Sequence, residues 1–282
     1  TGSAGTVIFM ANLAAYTKNK SWSKLSLDAV KTTAKMAGRY SSDFKLYQSG
    51  FNGLPLVIYA LLVCAEKLGD ESCLDLAYDL VMKIPARMWG EVTNPDVMGG
   101  SASSILALIA LHKKVPDDEL IKRIQLIGQG ILRYQEKEGS NAGGFLIPSA
   151  PRPLLGMAHG AAGIAYALSK MSSYLGDSTL LPPIHAALEY ERSHYNQEHQ
   201  DWPSLWKDPK SPIFMNGWCG GAAGIGLARL EMLDLLGEEG IAEIEASTKA
   251  TIRHIGSSGH HLCCGEAGRI IFLVNAARKL NR

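Results

Sequence analysis

Six times along the chain a Gly-x-x-Gly step opens an apolar stretch with helical periodicity. The steps are Gly2–Gly5, Gly50–Gly53, Gly100–Ser103 (serine in the second place), Gly160–Gly163, Gly221–Gly224 and Gly265–Gly268. A template that recurs every roughly 45–60 residues is the signature of a repeat architecture. The apolar runs that follow are Val7–Tyr16, Leu54–Leu68, Ile105–His112, Ile164–Leu175, Ile225–Leu236 and Ile270–Ala277. Between them lie amphipathic segments of helical type, at Leu25–Met36, Cys73–Met88, Asp117–Gln135, Thr179–Arg192 and Gly240–His254. These carry more charge and are expected to face water on one side. Asp117, Asp118 and Glu119 ahead of Leu120 put acids at a helix start, as the helix dipole favours. No stretch alternates apolar and polar residues cleanly, so strands are not expected. A single helix pair cannot bury its apolar face, so successive pairs must stack. The first set is nearly all apolar, which places it inside and predicts closure into a ring. The expected fold is all-α, an α/α toroid of inner and outer helices.

Composition narrows the partners. With 282 residues, 46% hydrophobic and 20% charged, the chain can form a large core without disulfide or metal staples. Its 28 basic and 27 acidic residues give no electrostatic footprint for nucleic acid or an anionic membrane. The longest apolar run, Leu54–Ala65, contains Pro55 and falls well short of the roughly 20 residues a membrane span needs. No secretory signal pattern stands at the start. The chain opens on Thr1 within a motif, so a single domain cut from a longer protein is expected. Five cysteines, two of them adjacent, make a poor disulfide framework and a better metal or reactive-thiol pattern. A cytoplasmic setting follows as the expectation.

Because each glycine step precedes an inner helix, all six are expected on one rim. The connections Pro85–Gly99, Glu138–Ala158 and Ser193–Gly220, rich in Pro, Gly, Asn and Ser, lead to that rim, where binding residues collect. Aligned on the first glycine of each step, Cys219 and Cys263 share one position, two residues before it. Cys264 and His159 share the next. Three thiolates at neighbouring helix starts suit tetrahedral Zn²⁺ with bonds of about 2.3 Å and leave a fourth position open, the mark of a catalytic site. Helix N-termini favour the thiolate form. A thiol–disulfide pair and simple core packing are the competing readings. Cys64 and Cys73, on apolar or amphipathic helices, read as core.

His159 is either a helix-capping histidine or, beside the proposed metal, a catalytic acid or base. Asp96 lies four residues before Gly100 and is either a turn residue after Pro95 or a member of the site. His260 and His261 read as solvent-rim residues, with outer-shell partner or alternative ligand as the other options. His185, His194, His199 and His254 read as surface residues.

The segments Gly-Met-Ala-His159-Gly, Gly-Trp-Cys219-Gly-Gly-Ala-Ala-Gly and His-Leu-Cys263-Cys264-Gly-Glu-Ala-Gly-Arg resemble the signatures of the lanthionine synthetase C-like cyclases. The Cys-Cys-Gly form looks like the cyclase domain of class II, bifunctional lanthipeptide synthetases. The resemblance implies a zinc-dependent α/α toroid that closes thioether rings in a precursor peptide. By motif position it makes Cys219, Cys263 and Cys264 the zinc ligands, His159 the acid/base residue and Asp96 its partner. Two departures stand out: Gly220 replaces a frequent tyrosine, and Met215 stands where some members carry arginine. The resemblance also implies a seventh repeat and an N-terminal dehydratase domain, neither of which is in this sequence.

The site chemistry then expected is thiol addition to dehydroalanine or dehydrobutyrine, giving lanthionine or methyllanthionine. Rival readings are glutathione-type thiol addition at the same zinc, a peptide-binding module with a structural zinc, and a glycoside hydrolase. The last needs two acids about 5–10 Å apart, and the rim offers only Asp96, Glu266 and Asp201.

Overall fold

The computed structural model describes residues 2–39, 50–206 and 212–281. Part of the Ser193–Gly220 connection, 207–211, lies outside the described residues. Twelve α-helices and three 3-10 turns occur among them, and the only β pairing is two isolated bridges, Gln135 with Phe145 and Asn196 with Asp201. No described helix is long and apolar enough to cross a membrane.

The chain divides into two compact units, one of Thr1–Asn94 with Met98–Ile131 and one of Pro95–Val97 with Leu132–Arg282. The first holds α1 (Gly2–Thr17), α2 (Lys20–Arg39), α3 (Leu54–Leu68), α4 (Ser72–Met82), the single turn α5 (Ala86–Trp89), α6 (Ala102–His112) and α7 (Asp118–Leu132) as far as Ile131. The second holds α8 (Ala161–Leu175), α9 (Leu181–Ser193), α10 (Ala222–Glu231), α11 (Leu233–Arg253) and α12 (Glu266–Leu280). In the first unit α3 packs on α1 and α6, and in the second α10 packs on α8 and α12. These are the helices that follow the glycine steps. Of them α3, α6, α8 and α10 are buried almost all round, α3 burying every residue from Leu54 to Leu62 except Tyr59. Against the expectation that the whole set lies inside, α1 and α12 bury one stripe each and leave Phe9, Tyr16, Ile270, Ile271 and Val274 exposed. The intervening helices bury one stripe, as α7 does with Leu120, Ile124, Ile127 and Ile131. Cys64 and Cys73 sit in the core of the first unit, where burial pushes their thiols up to about 12 and about 11.

Three boundaries differ from the sequence periodicity. The Cys73–Met88 segment ends as α4 at Met82, because Pro85 can neither donate to the helix nor let its predecessor stay helical. The Ile225–Leu236 run stops at Glu231, and Gly237 (φ 54°, ψ −134°) kinks the following helix. The glycine steps also do not precede their helices as whole units. Gly160, Gly221 and Gly265 are N-caps, so Gly163, Gly224 and Gly268 lie inside the first turn.

That placement explains the second glycine. A Cβ on Gly163, Gly224 or Gly268 would stand 1.9, 2.0 or 2.1 Å from the carbonyl oxygen of Met157, Trp218 or Leu262, six residues back in each case. The incoming loop therefore folds tightly under its own helix start. Gly163 N–H donates to Gly156 O (3.3 Å) and Gly224 N–H to Gly217 O (3.2 Å), closing the same turn twice. In this way the repeats carry the loops that bear the candidate site.

Candidate metal centre

All the predicted site residues lie in the second unit, and a backbone ladder strings them together. Val97 N–H donates to Ala158 O (3.1 Å), Ala158 N–H to Cys219 O (3.0 Å) and Cys219 N–H to Cys263 O (3.1 Å). Ala158, Cys219 and Cys263 each stand two residues before the N-cap glycine of their helix, so the rungs join equivalent positions of successive repeats. Glycines set the spacing between loops. A Cβ on Gly156 would lie 2.7 Å from Gly220 Cα, and one on Gly217 would lie 2.9 Å from Cys264 Cα. Asp96 and His159 flank the first rung, and Cys264 flanks the last.

The Sγ atoms of Cys219, Cys263 and Cys264 lie within 4.8 Å of one another, and all three thiols are free and half-buried. Tetrahedral zinc with bonds of about 2.3 Å needs sulfurs about 3.8 Å apart, which small side-chain rotations supply. Among the described residues no fourth His, Cys, Asp or Glu ligand atom lies that close to all three. His261, exposed, reaches only Cys264, with Nδ1 3.8 Å from Sγ. Helix starts do not make these thiols acidic. Burial pushes all three up, Cys263 to about 11, and neighbouring sulfurs reinforce the shift at Cys263 and Cys264. Three such thiols held together are a donor set that a dication completes.

Beside them, Asp96 Oδ2 lies 2.6 Å from His159 Nδ1. The Asp96 side chain is 1% exposed and that of His159 is 32% exposed, so a buried carboxylate orients a ring that reaches solvent. The turn-residue reading of Asp96 does not describe this contact. The indole of Trp206 meets the imidazole edge-to-face, with centroids 6.0 Å apart and planes at 86°.

Several residues behind the site carry no local sequence signal. Glu191 and Arg229 form a fully buried ion pair (3.0 Å), and Glu191 Oε1 accepts from Gly156 N–H (2.9 Å) at the base of the His159 loop. The Glu191 carbonyl accepts from Trp202 Nε1 (3.1 Å), which anchors the segment leading to Trp206. Arg269 Nε donates to Asn216 O (2.9 Å), fixing the turn before Cys219, where Asn216 has φ 43°. The other two rim acids are engaged. Glu266 bonds Arg269 and the Gly256 and Ser258 amides, and Asp201 accepts from Trp202 N–H and Asn216 Nδ2. Among the described residues, the three acids expected on the rim are thus each engaged in structural hydrogen bonds or with His159.

The family model described as lanthionine synthetase C-like protein matches residues 1–282, and the chain belongs to that family. As a member it is an enzyme, a lanthionine-forming cyclase. Among solved structures, nisin cyclase superposes with a TM-score of 0.73 at 19% identity, covering 100% of this chain and 76% of its own. An unsaturated glucuronyl hydrolase from Bacillus sp. GL1 follows the chain with a TM-score of 0.53 at 14% identity, over 90% of this chain and 74% of its own. Likeness at such identities speaks for the fold alone, and that fold is the all-α, α/α toroid expected from the repeats. No curated protein matches the chain.

Proposed function

We propose that this chain closes thioether rings in a dehydrated precursor peptide, using zinc held by Cys219, Cys263 and Cys264. The observation that carries the reading is a cluster of three protein thiols with no fourth protein ligand among the described residues. A structural zinc would be closed by four. Bound there, zinc would hold a substrate cysteine as thiolate, and the three protein thiolates would keep that sulfur electron-rich.

The remaining steps belong to the chain's own residues. The substrate sulfur forms a bond to the β-carbon of dehydroalanine or dehydrobutyrine, and the alkene electron pair moves toward Cα and its carbonyl. His159 delivers the proton to Cα. Asp96 holds Nδ1–H, which orients the ring and leaves Nε2 as the nitrogen that exchanges the proton. The dehydroamino acids must come from a dehydratase, attached or separate. The Cys-Cys-Gly form favours the attached, class II arrangement, with both compact units belonging to one cyclase domain.

The test is Cys219→Ala and Cys264→Ala, scored for zinc content and for loss of free thiol in a dehydrated cysteine peptide. Loss of both zinc and ring closure is expected. Variants that keep both would sink the assignment.

A further inference from the structure

Several large apolar side chains stand exposed in the loops that carry the thiols and His159, with Trp206, Met215 and Leu262 among them. Trp206 is 44% exposed, Met215 37% and Leu262 61%. Scattered exposed apolar residues need no explanation, but these share a few loops around a polar reaction centre, and the backbone holds those loops together. Ser204 N–H donates to Ile213 O (2.7 Å), joining the segment of Trp206 to that of Met215. Gly217, two residues after Met215, packs against Cys264. Leu262 directly precedes Cys263, and its carbonyl is held under the start of α12 against Gly268. The ladder from Val97 through Ala158 and Cys219 to Cys263 gives the set a direction. Trp206 stands at the His159 end and Leu262 at the thiol end. Between them Gly220 contributes no side chain, and a Cβ there would find nothing nearer than Leu155 O at 4.0 Å.

We infer that Trp206, Met215 and Leu262 form an apolar collar that selects peptides whose reacting residues have hydrophobic neighbours. The inference rests on the cyclase reading. The alkene carbon must meet His159, so Trp206 contacts the neighbour of the dehydroamino acid. The cysteine sulfur must meet the three thiols, so Leu262 contacts the neighbour of the cysteine. Burying those neighbours against the collar removes apolar surface from water on both sides, while exposed carboxylates or hydroxyls gain nothing there. Specificity of this kind is a difference of affinities and is read one side at a time.

The experiment uses the zinc-loaded protein and four dehydrated peptides, each with one dehydroalanine and one cysteine. Leucine or serine stands next to the dehydroalanine, and leucine or serine next to the cysteine. Ring closure is followed by loss of free thiol, and binding is measured with analogues in which serine replaces the cysteine. The parent is expected to favour leucine over serine by about tenfold on each side. Trp206→Ser should erase the preference beside the alkene, Leu262→Ser the one beside the cysteine, and Trp206→Phe should keep it, all with zinc content unchanged. Equal handling of leucine and serine by the parent overturns the collar and leaves the cyclase reading standing. So does equal loss of both preferences in each variant, or a variant that loses only self-association. A parent that closes no ring in any peptide overturns the cyclase reading and the collar together.

Discussion

Asp96 and His159, 63 positions apart in sequence, meet through a 2.6 Å contact between a buried carboxylate oxygen and imidazole Nδ1. The meeting is arranged by the backbone. The rung from Val97 N–H to Ala158 O joins the residue after Asp96 to the residue before His159. A carboxylate in that place holds the imidazole ring in one orientation through Nδ1.

Asp96→Asn keeps the shape and removes the charge, so ring closure is expected to fall by roughly 10²–10⁴-fold. His159→Asn is expected to fall by a similar factor. Both variants should retain zinc, since neither residue belongs to the thiol cluster. Single-turnover thiol loss and metal analysis on the same preparations check this, and loss of zinc in either variant would contradict the division of labour.

The thiols make a second expectation. Burial pushes Cys219, Cys263 and Cys264 up, Cys263 to about 11, so at pH 7 the metal-free site carries its protons. Metal capture must displace them, and mass action then makes zinc affinity rise with pH. Calorimetry of zinc binding in two buffers of different ionisation enthalpy should show release of about two to three protons. Binding without proton release would mean that the thiols are not the ligands.

The repeats and the site were legible to different depths. Gly-x-x-Gly followed by an apolar run is a local pattern, and it located every inner helix to within a few residues. Alignment of the repeats also gave Cys219 and Cys263 one position, which the ladder makes neighbours, and Cys264 and His159 the next, where Gly220 stands between them in the ladder order. Asp96 was harder, since its partner lies in another repeat and only the folded chain shows its buried carboxylate in contact with His159. Glu191 with Arg229, and Arg269 with Asn216, were not legible at all. Each looks like an ordinary polar residue on its helix or loop, and only packing brings the partners together. Trp206 left a faint signal as a tryptophan in a long polar connection. The kink at Gly237 left none beyond the glycine itself.

The glycine inside the first turn of each site helix is expected to be irreplaceable. Gly224→Ala would put a Cβ 2.0 Å from Trp218 O, a backbone atom one residue from Cys219. Neither side can yield without moving the ligand loop, so a loss of about 3 kcal/mol or more is expected, together with weakened zinc binding. Gly176→Ala is the control. There φ is +68° but the space is open, so about 1 kcal/mol of left-handed strain is the whole cost. Urea midpoints of the two variants should therefore differ clearly, and equal midpoints would show that the loop does not press on the helix start.

Arg229 tests the buried support beneath the loops. Its guanidinium pairs with Glu191 at 3.0 Å and with Glu243, and both Arg229 and Glu191 are fully buried. Burial pushes the Glu191 carboxyl up, and Arg229 is the main opposing influence. Arg229→Met removes that charge and leaves Glu191 uncompensated, at an expected cost of about 3–5 kcal/mol near neutral pH. The sign of the pH dependence follows from the proton. The unfolded chain releases the Glu191 proton in the ordinary carboxylate range, while the folded variant holds it to higher pH. The deficit should therefore be smallest below about pH 4 and grow as pH rises toward neutrality. Denaturant midpoints of parent and variant at acid and neutral pH check both size and slope. Because Glu191 also holds Gly156 N–H, the variant should lose ring closure along with stability, and Glu191→Gln/Arg229→Met, which keeps the hydrogen bond without either charge, should recover both.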